Sequence, residues 1–171
     1  YFTRHSQYEL TSTTLDDFAQ IVQRCQEAEI ELTVFISPSH AAQWEAIDQT
    51  GHWKTFEQWK RDIVAIAPVW DFSGYSSVTT EPIEPTMQYY ADNSHYTPKV
   101  GDWVTARLYG SEVSQSAIPA DFGVWVTPET IKEHLASIRR DRSQWRNQNI
   151  ETHRWLTDIH QQVIAPSEDS P

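Results

Sequence analysis

The stretch ELTVFISP, residues 31 to 38, follows directly on the amphipathic run TTLDDFAQIVQRCQEAEI, and this junction limits what the chain can fold into. In the first run Leu15, Phe18, Ile21, Val22 and Cys25 recur at helical spacing, with Thr13 or Thr14 as N-cap and Asp16 and Asp17 in the first turn. The second run is β-branched and aromatic, too short for a helix and stopped by Pro38, which predicts a buried parallel strand. SHAAQWEAIDQTG and WKTFEQWKRDIVAIA then read as two helices broken near Gly51, the second with Phe56, Trp59, Ile63 and Ile66 on one face. PVWDFSG is a second short strand. Strand, helical crossover and strand predict a right-handed βαβ unit, hence an α/β fold.

Tyr75 to Ala91 is a long loop rich in Ser, Thr and Pro, and loops longer than about twelve residues inside compact domains are often functional. Beyond it Thr97 and Pro98 take the N-cap and N1 positions of a helix, Val100, Trp103, Val104 and Leu108 form its buried stripe, and Gly110 ends it. Residues 111 to 126 read as a connection. Residues 127 to 164 form one long polar helix or two shorter ones, with Ile131, Leu135, Ile138, Trp145, Leu156, Ile159 and Val163 as an apolar seam that Arg142 and Asn149 interrupt. Such a seam suits docking on the domain or on a partner helix, including a second copy of the chain, better than a perfect coiled coil. Residues 1 to 126 thus form the α/β part, 127 to 164 a C-terminal helical segment, and 165 to 171 a disordered tail.

A formal charge of -11 argues against a nucleic-acid surface, which needs clustered Lys and Arg to displace counterions. No apolar run reaches the length of a membrane span, and YFTRHSQYEL lacks the basic and apolar segments of a signal peptide. The single cysteine, Cys25, has no cationic neighbour to activate it and reads as a small core residue. No H-x-x-x-H pair occurs, so neither a metal nor a cofactor is expected; a phosphate-cradling glycine loop is also missing. The eight tryptophans read mainly as core or interface.

The chemical candidates cluster in YYADNSHYTPKVGDWVTARLYG, residues 89 to 110, where Asp92 stands three positions before His95. A histidine that takes a proton from a serine needs a carboxylate to fix its tautomer and stabilise imidazolium, and one loop can supply both. The competing account is a turn made by Asp92 and Asn93 with His95 leading into the helix. Ser37 and His40 follow a strand end, where α/β folds place ligand groups, and are candidate substrate-binding residues; Ser39 as N-cap with His40 in the first turn is the favoured alternative. Asp71 closely follows the second strand and is a further cleft candidate.

VFISPSHAAQWEAIDQTGHWKTFEQWKRDI, DNSHYTPKVGDWV and IPADFGVWVTPETIKEHL resemble a group of bacterial SGNH (GDSL-type) hydrolase-like proteins, over most of the chain from about Thr13 to Leu135. The resemblance implies a three-layer α/β/α, flavodoxin-like fold in which Asp92 orients His95 and His95 acts as general base on a serine. It further implies an acyl ester of a glycan or small molecule as substrate, an upstream membrane anchor and a periplasmic or extracytoplasmic setting. In such proteins the serine lies near the start of the domain in a glycine-flanked turn after a strand. Ser6 and Ser12 have no strand before them, and Ser37, Ser73 and Ser94 lack the glycine context. The expectation is therefore a C-terminal portion of the domain, incomplete at its amino end and supplying two members of a triad. A non-catalytic binding or assembly module built on the C-terminal helix is the alternative.

Overall fold

The structure is a computed structural model and describes residues 8–110 and 117–164. The elements run α1 (Ser12–Glu27), β1 (Phe35–Ile36), α2 (Ala41–Gln49), α3 (Trp53–Ile66), β2 (Val69–Asp71), α4 (Pro98–Tyr109), β3 (Val124–Val126), α5 (Ile131–Gln148) and α6 (Ile150–Ile164). The chain is a mixed α/β protein, mostly helical, with a small three-stranded sheet in the order β1-β2-β3. The 165 to 171 tail lies outside the described residues.

β1 and β2 pair in parallel, Phe35 opposite Trp70 and Ile36 opposite Asp71, with α2 and α3 forming the crossover between them. β1 is less buried than its sequence suggests, since Phe35 remains 41% exposed. The third strand was not expected: β3 runs antiparallel to β2 inside the segment read as a connection, pairing Val69 with Val126, Trp70 with Trp125 and Asp71 with Val124. Three residues are too few for a period-two pattern to stand out, and only Val126 of the three is buried.

Alternation along the strands gives the sheet two cores. Ile36, Val69 and Val126 face Val64 of α3, with Trp59, Ile63 and Ile131 packed around them. Trp70 and Phe72 look the other way, toward Val100, Trp103 and Val104 of α4 and toward Phe122. Gly123 permits this second packing: it adopts φ +87, and a Cβ there would sit 2.5 Å from a Phe72 ring carbon. α4 begins and ends as its sequence predicts, with Thr97 as N-cap, Pro98 in the first turn and left-handed Gly110 as C-cap. α1 starts at Ser12 with Thr11 in the capping position, and of its apolar stripe only Val22 is buried.

The C-terminal segment is two helices, parted at Asn149, whose backbone N–H and side-chain amide both donate to the Trp145 carbonyl. The break lets α6 fold back along α2, where Trp145 and Leu156 bury against Ala41 and Ala42. Arg142, an interruption of the seam in sequence, is one of its anchors. Fully buried Glu45 receives Tyr75 Oη at 2.5 Å, Arg142 Nε at 3.3 Å and Arg146 Nη2 at 2.6 Å, and both arginines also pair with Asp48. A buried carboxylate with that many donors is compensated rather than stranded. Leu135, Ile138, Trp145 and Leu156 are thereby buried within the chain itself, while Ile150, Trp155 and Val163 stay exposed. Among the described residues no helix is long and apolar enough to cross a membrane.

Candidate functional site

The loop that carries Asp92 and His95 is held at both ends. Tyr90 and Tyr96 form an antiparallel bridge, Ala91 N–H donates to the His95 carbonyl at 2.8 Å, and Thr97 N–H donates to the Tyr89 carbonyl at 2.8 Å. Its tip is tied to the start of α2: His40 N–H donates to the Asn93 carbonyl at 3.1 Å, and Asn93 Nδ2 donates to Gln43 Oε1 at 2.7 Å.

Asp92 uses its two oxygens differently. Oδ1 accepts the backbone N–H groups of Ser94 and His95, each at 2.7 Å, which is the turn expected of an Asp at this position. Oδ2 lies 2.7 Å from His95 Nδ1. The turn and the dyad therefore coexist in one side chain. The backbone donor of Ser94, followed by the His95 ring and the His95 backbone donor, holds the Asp92 carboxyl well below the usual carboxylate range. An ionised Asp92 accepting from Nδ1 makes that nitrogen the protonated one and leaves the Nε2 lone pair facing outward. The pair is open to solvent, with side chains 78% exposed at His95 and 51% at Asp92.

No nucleophile meets that lone pair among the described residues. Ser94 Oγ is the nearest hydroxyl to the ring, but it sits 3.2 Å from Nδ1 and bonds Asp92 Oδ1 at 3.1 Å, on the carboxylate side. Ser37 is exposed just past β1, and Cys25 is a free, half-buried thiol on α1.

His40 is the N-cap of α2 itself, displacing the expected Ser39. Its Nδ1 accepts from Ala42 N–H at 3.1 Å, so the proton belongs on Nε2, which donates to the Glu81 carbonyl at 2.7 Å. Burial lowers its pKa and outweighs the opposing influence of Glu81, keeping the ring neutral. Both nitrogens being engaged, His40 can offer a ligand only its ring carbons. It still borders a cleft of about 310 Å³ that also reaches Asp92, Asn93, Ile83, Met87 and Trp155; Ser37 is not part of its lining.

A second carboxylate–imidazole pair escaped the sequence. Asp71, at the end of β2, receives Lys60 Nζ at 2.6 Å and His134 Nε2 at 2.8 Å on Oδ2, and Ser73 N–H at 2.8 Å and Oγ at 2.6 Å on Oδ1. Burial pushes this carboxyl up, but the Lys60 charge and the His134 bond prevail and hold it well below the usual range. A polar cleft of about 220 Å³ opens beside it, between His134, Asp121 and Asp141. One signal pointed here: Lys60 sits four residues after Phe56 and four before Val64, on the buried stripe of α3, where a lysine needs an anionic partner. His134 gave none. Among the described residues no group of three or more His, Cys, Asp or Glu could hold a metal ion.

Comparison with protein-family models, with curated proteins and with solved structures finds no match to the chain.

Proposed function

We propose that this chain supplies the proton-handling half of an SGNH-like serine ester hydrolase or O-acyltransferase within a flavodoxin-like α/β/α domain, with the nucleophilic serine contributed from outside the described residues. The observation that carries this reading is the Asp92 Oδ2–His95 Nδ1 bond of 2.7 Å, in a loop held at both ends, with the His95 side chain 78% exposed and no hydrogen-bond partner for its Nε2 among the described residues. In the proposed reaction the serine hydroxyl gives its proton to His95 Nε2 as its oxygen bonds to the ester carbonyl carbon. Asp92 stabilises the imidazolium. His95 then returns that proton to the departing alcohol, and a water or an acceptor hydroxyl repeats the sequence to release the acyl group. The substrate class is an uncharged acyl ester of a glycan or small molecule, met in a periplasmic or extracytoplasmic setting.

The assembly reading draws less support, because four of the seven seam residues that motivated it, Leu135, Ile138, Trp145 and Leu156, are buried within the chain itself. The test is p-nitrophenyl acetate turnover by the full-length encoded protein. His95→Ala should lower kcat/KM by about a thousandfold or more with the fold retained. Unchanged turnover sinks the assignment.

A further inference from the structure

The geometry points to Glu81 as the positioning residue of the Asp92–His95 pair, its carboxylate clasping the base of the loop that carries both; the catalytic meaning of that role rests on the hydrolytic reading of the pair. The side chains of Asp92 and His95 are at least half exposed, so packing does little to fix them and the backbone of their hairpin must do so. The first arm of that hairpin starts at Gln88 and Tyr89. Glu81 Oε1 accepts Gln88 N–H at 2.5 Å, and Oε2 accepts Tyr89 N–H at 2.9 Å. Two consecutive backbone donors on one carboxylate fix the direction of the chain as well as its place. The second arm is tied to the first from there. The Gln88 carbonyl accepts Thr97 Oγ1–H at 3.0 Å, the Tyr89 carbonyl accepts Thr97 N–H at 2.8 Å, and Ala91 N–H donates to the His95 carbonyl at 2.8 Å.

Glu81 can set the hairpin's position because it is itself fixed from α2. His40 Nε2 donates to the Glu81 carbonyl at 2.7 Å, and Ala41 N–H donates to the Thr79 carbonyl at 2.7 Å. His40 N–H meanwhile holds the Asn93 carbonyl at the loop tip, at 3.1 Å. The start of α2 therefore grips the clasp and the tip together. Residues 82 to 86, between Glu81 and the hairpin, are all exposed and offer no packed route of their own. Pro82 and Pro85 stiffen this stretch and lower the entropy lost on closing it. Tyr90 is buried and Tyr89 packs on Trp103 with ring centres 5.3 Å apart, so the hairpin keeps its seat in the core when the clasp is removed. What it loses is its register against α2. A misplacement of about 1 Å, even from a change far from the chemistry, can cost about a hundredfold in rate.

The test reads position and rate separately in the full-length encoded protein. In ¹⁵N-labelled protein, at a pH where imidazole is neutral, the ring signals absent from His95→Ala report the His95 tautomer. The native protein should show the Nδ1-protonated form, and Glu81→Ala should average it with the Nε2-protonated form. Hydrogen exchange at the Ala91 and Thr97 amides should speed up about tenfold or more in that variant, with the α5 amides unchanged. In p-nitrophenyl acetate turnover, Glu81→Ala should lower kcat about ten- to a hundredfold with KM held within about twofold. Glu81→Gln keeps one acceptor and turns a donor toward the other N–H, so it should fall between the native protein and Glu81→Ala; it decides the same comparisons if the alanine variant does not fold. Glu84→Ala, on the same exposed stretch, should match the native protein throughout. A His95 ring and loop amides that ignore the loss of the Glu81 carboxylate overturn the proposal. Where His95→Ala abolishes turnover but Glu81→Ala keeps the native kcat per folded molecule, the positioning role falls and the hydrolytic reading stands. Where His95→Ala leaves turnover unchanged while Glu81→Ala still moves the ring and the amides, the hydrolytic reading falls and the clasp stands.

Discussion

Two carboxylate–imidazole pairs of nearly equal length lie among the described residues, Asp92–His95 at 2.7 Å and Asp71–His134 at 2.8 Å, and they sit in opposite surroundings. The first is a local pair within one loop, largely in water. The second joins residues far apart in the chain and is mostly buried, at the edge of a polar cleft, with side chains 1% exposed at Asp71 and 10% at His134. Lys60, itself 1% exposed, adds a full positive charge to the same oxygen. Distance alone therefore does not mark a working dyad. What separates them is what the carboxylate holds: Asp71 is occupied by four donors from α3, α5 and its own turn, whereas Asp92 fixes one short turn and one ring whose far nitrogen has no partner among the described residues.

The largest effect that would break this contrast is at the buried pair. Lys60→Met leaves an ionised Asp71 under-compensated in the interior and should cost about 3–5 kcal/mol in urea unfolding. A loss below about 1 kcal/mol, the size of an exposed pair, would mean that the cluster is no tighter than a surface contact.

Acid sharpens the comparison next. Both carboxyls are held below their ordinary 3.8, so each contributes stability that is present above that value and is lost as pH falls below it. Asp92 is half in water and its contribution is screened. Asp71→Asn should therefore flatten the acid limb of the stability curve far more than Asp92→Asn, as read from urea midpoints across the acid range. Equal flattening would erase the difference between the two sites.

His40 gives a smaller effect at higher pH. Its pKa is lowered in the folded state, so the unfolded chain binds more protons just below the ordinary 6.5, and stability declines as pH drops through that window. Replacing the cap with His40→Ala should cost about 1 kcal/mol, while His40→Asn, which keeps a capping acceptor, should restore part of that. Both variants should lose the decline below 6.5 that the native protein shows.

The two pairs also differ in how far sequence alone reveals them. Asp92 and His95 are three residues apart in a loop before a well-marked helix start, so both the turn and the dyad could be read from local chemistry. The same is true of the helices, whose apolar periods persist over many residues, and of Gly110, whose place after the last periodic residue announces a C-cap. His134 meets Asp71 across 63 positions and Arg142 meets Glu45 across 97, and nothing in the pattern of either neighbourhood says which distant carboxylate it serves. β3 was hidden by its brevity. The exchange of Ser39 for His40 as cap was hidden because an imidazole caps only when burial keeps it neutral and a second acceptor, here the Glu81 carbonyl, takes its proton.

We propose that the exposed pair does chemistry and that the buried pair holds the fold. Parallel His95→Gln and His134→Gln variants of the full-length encoded protein test it, by p-nitrophenyl acetate turnover normalised to the folded fraction from urea unfolding. His95→Gln should change stability by less than about 0.5 kcal/mol, as at an ordinary surface site, and lower turnover by about a thousandfold or more. His134→Gln should lower stability while turnover per folded molecule stays within a few-fold of the native value. Turnover that persists without His95, or that vanishes from folded protein without His134, would contradict it.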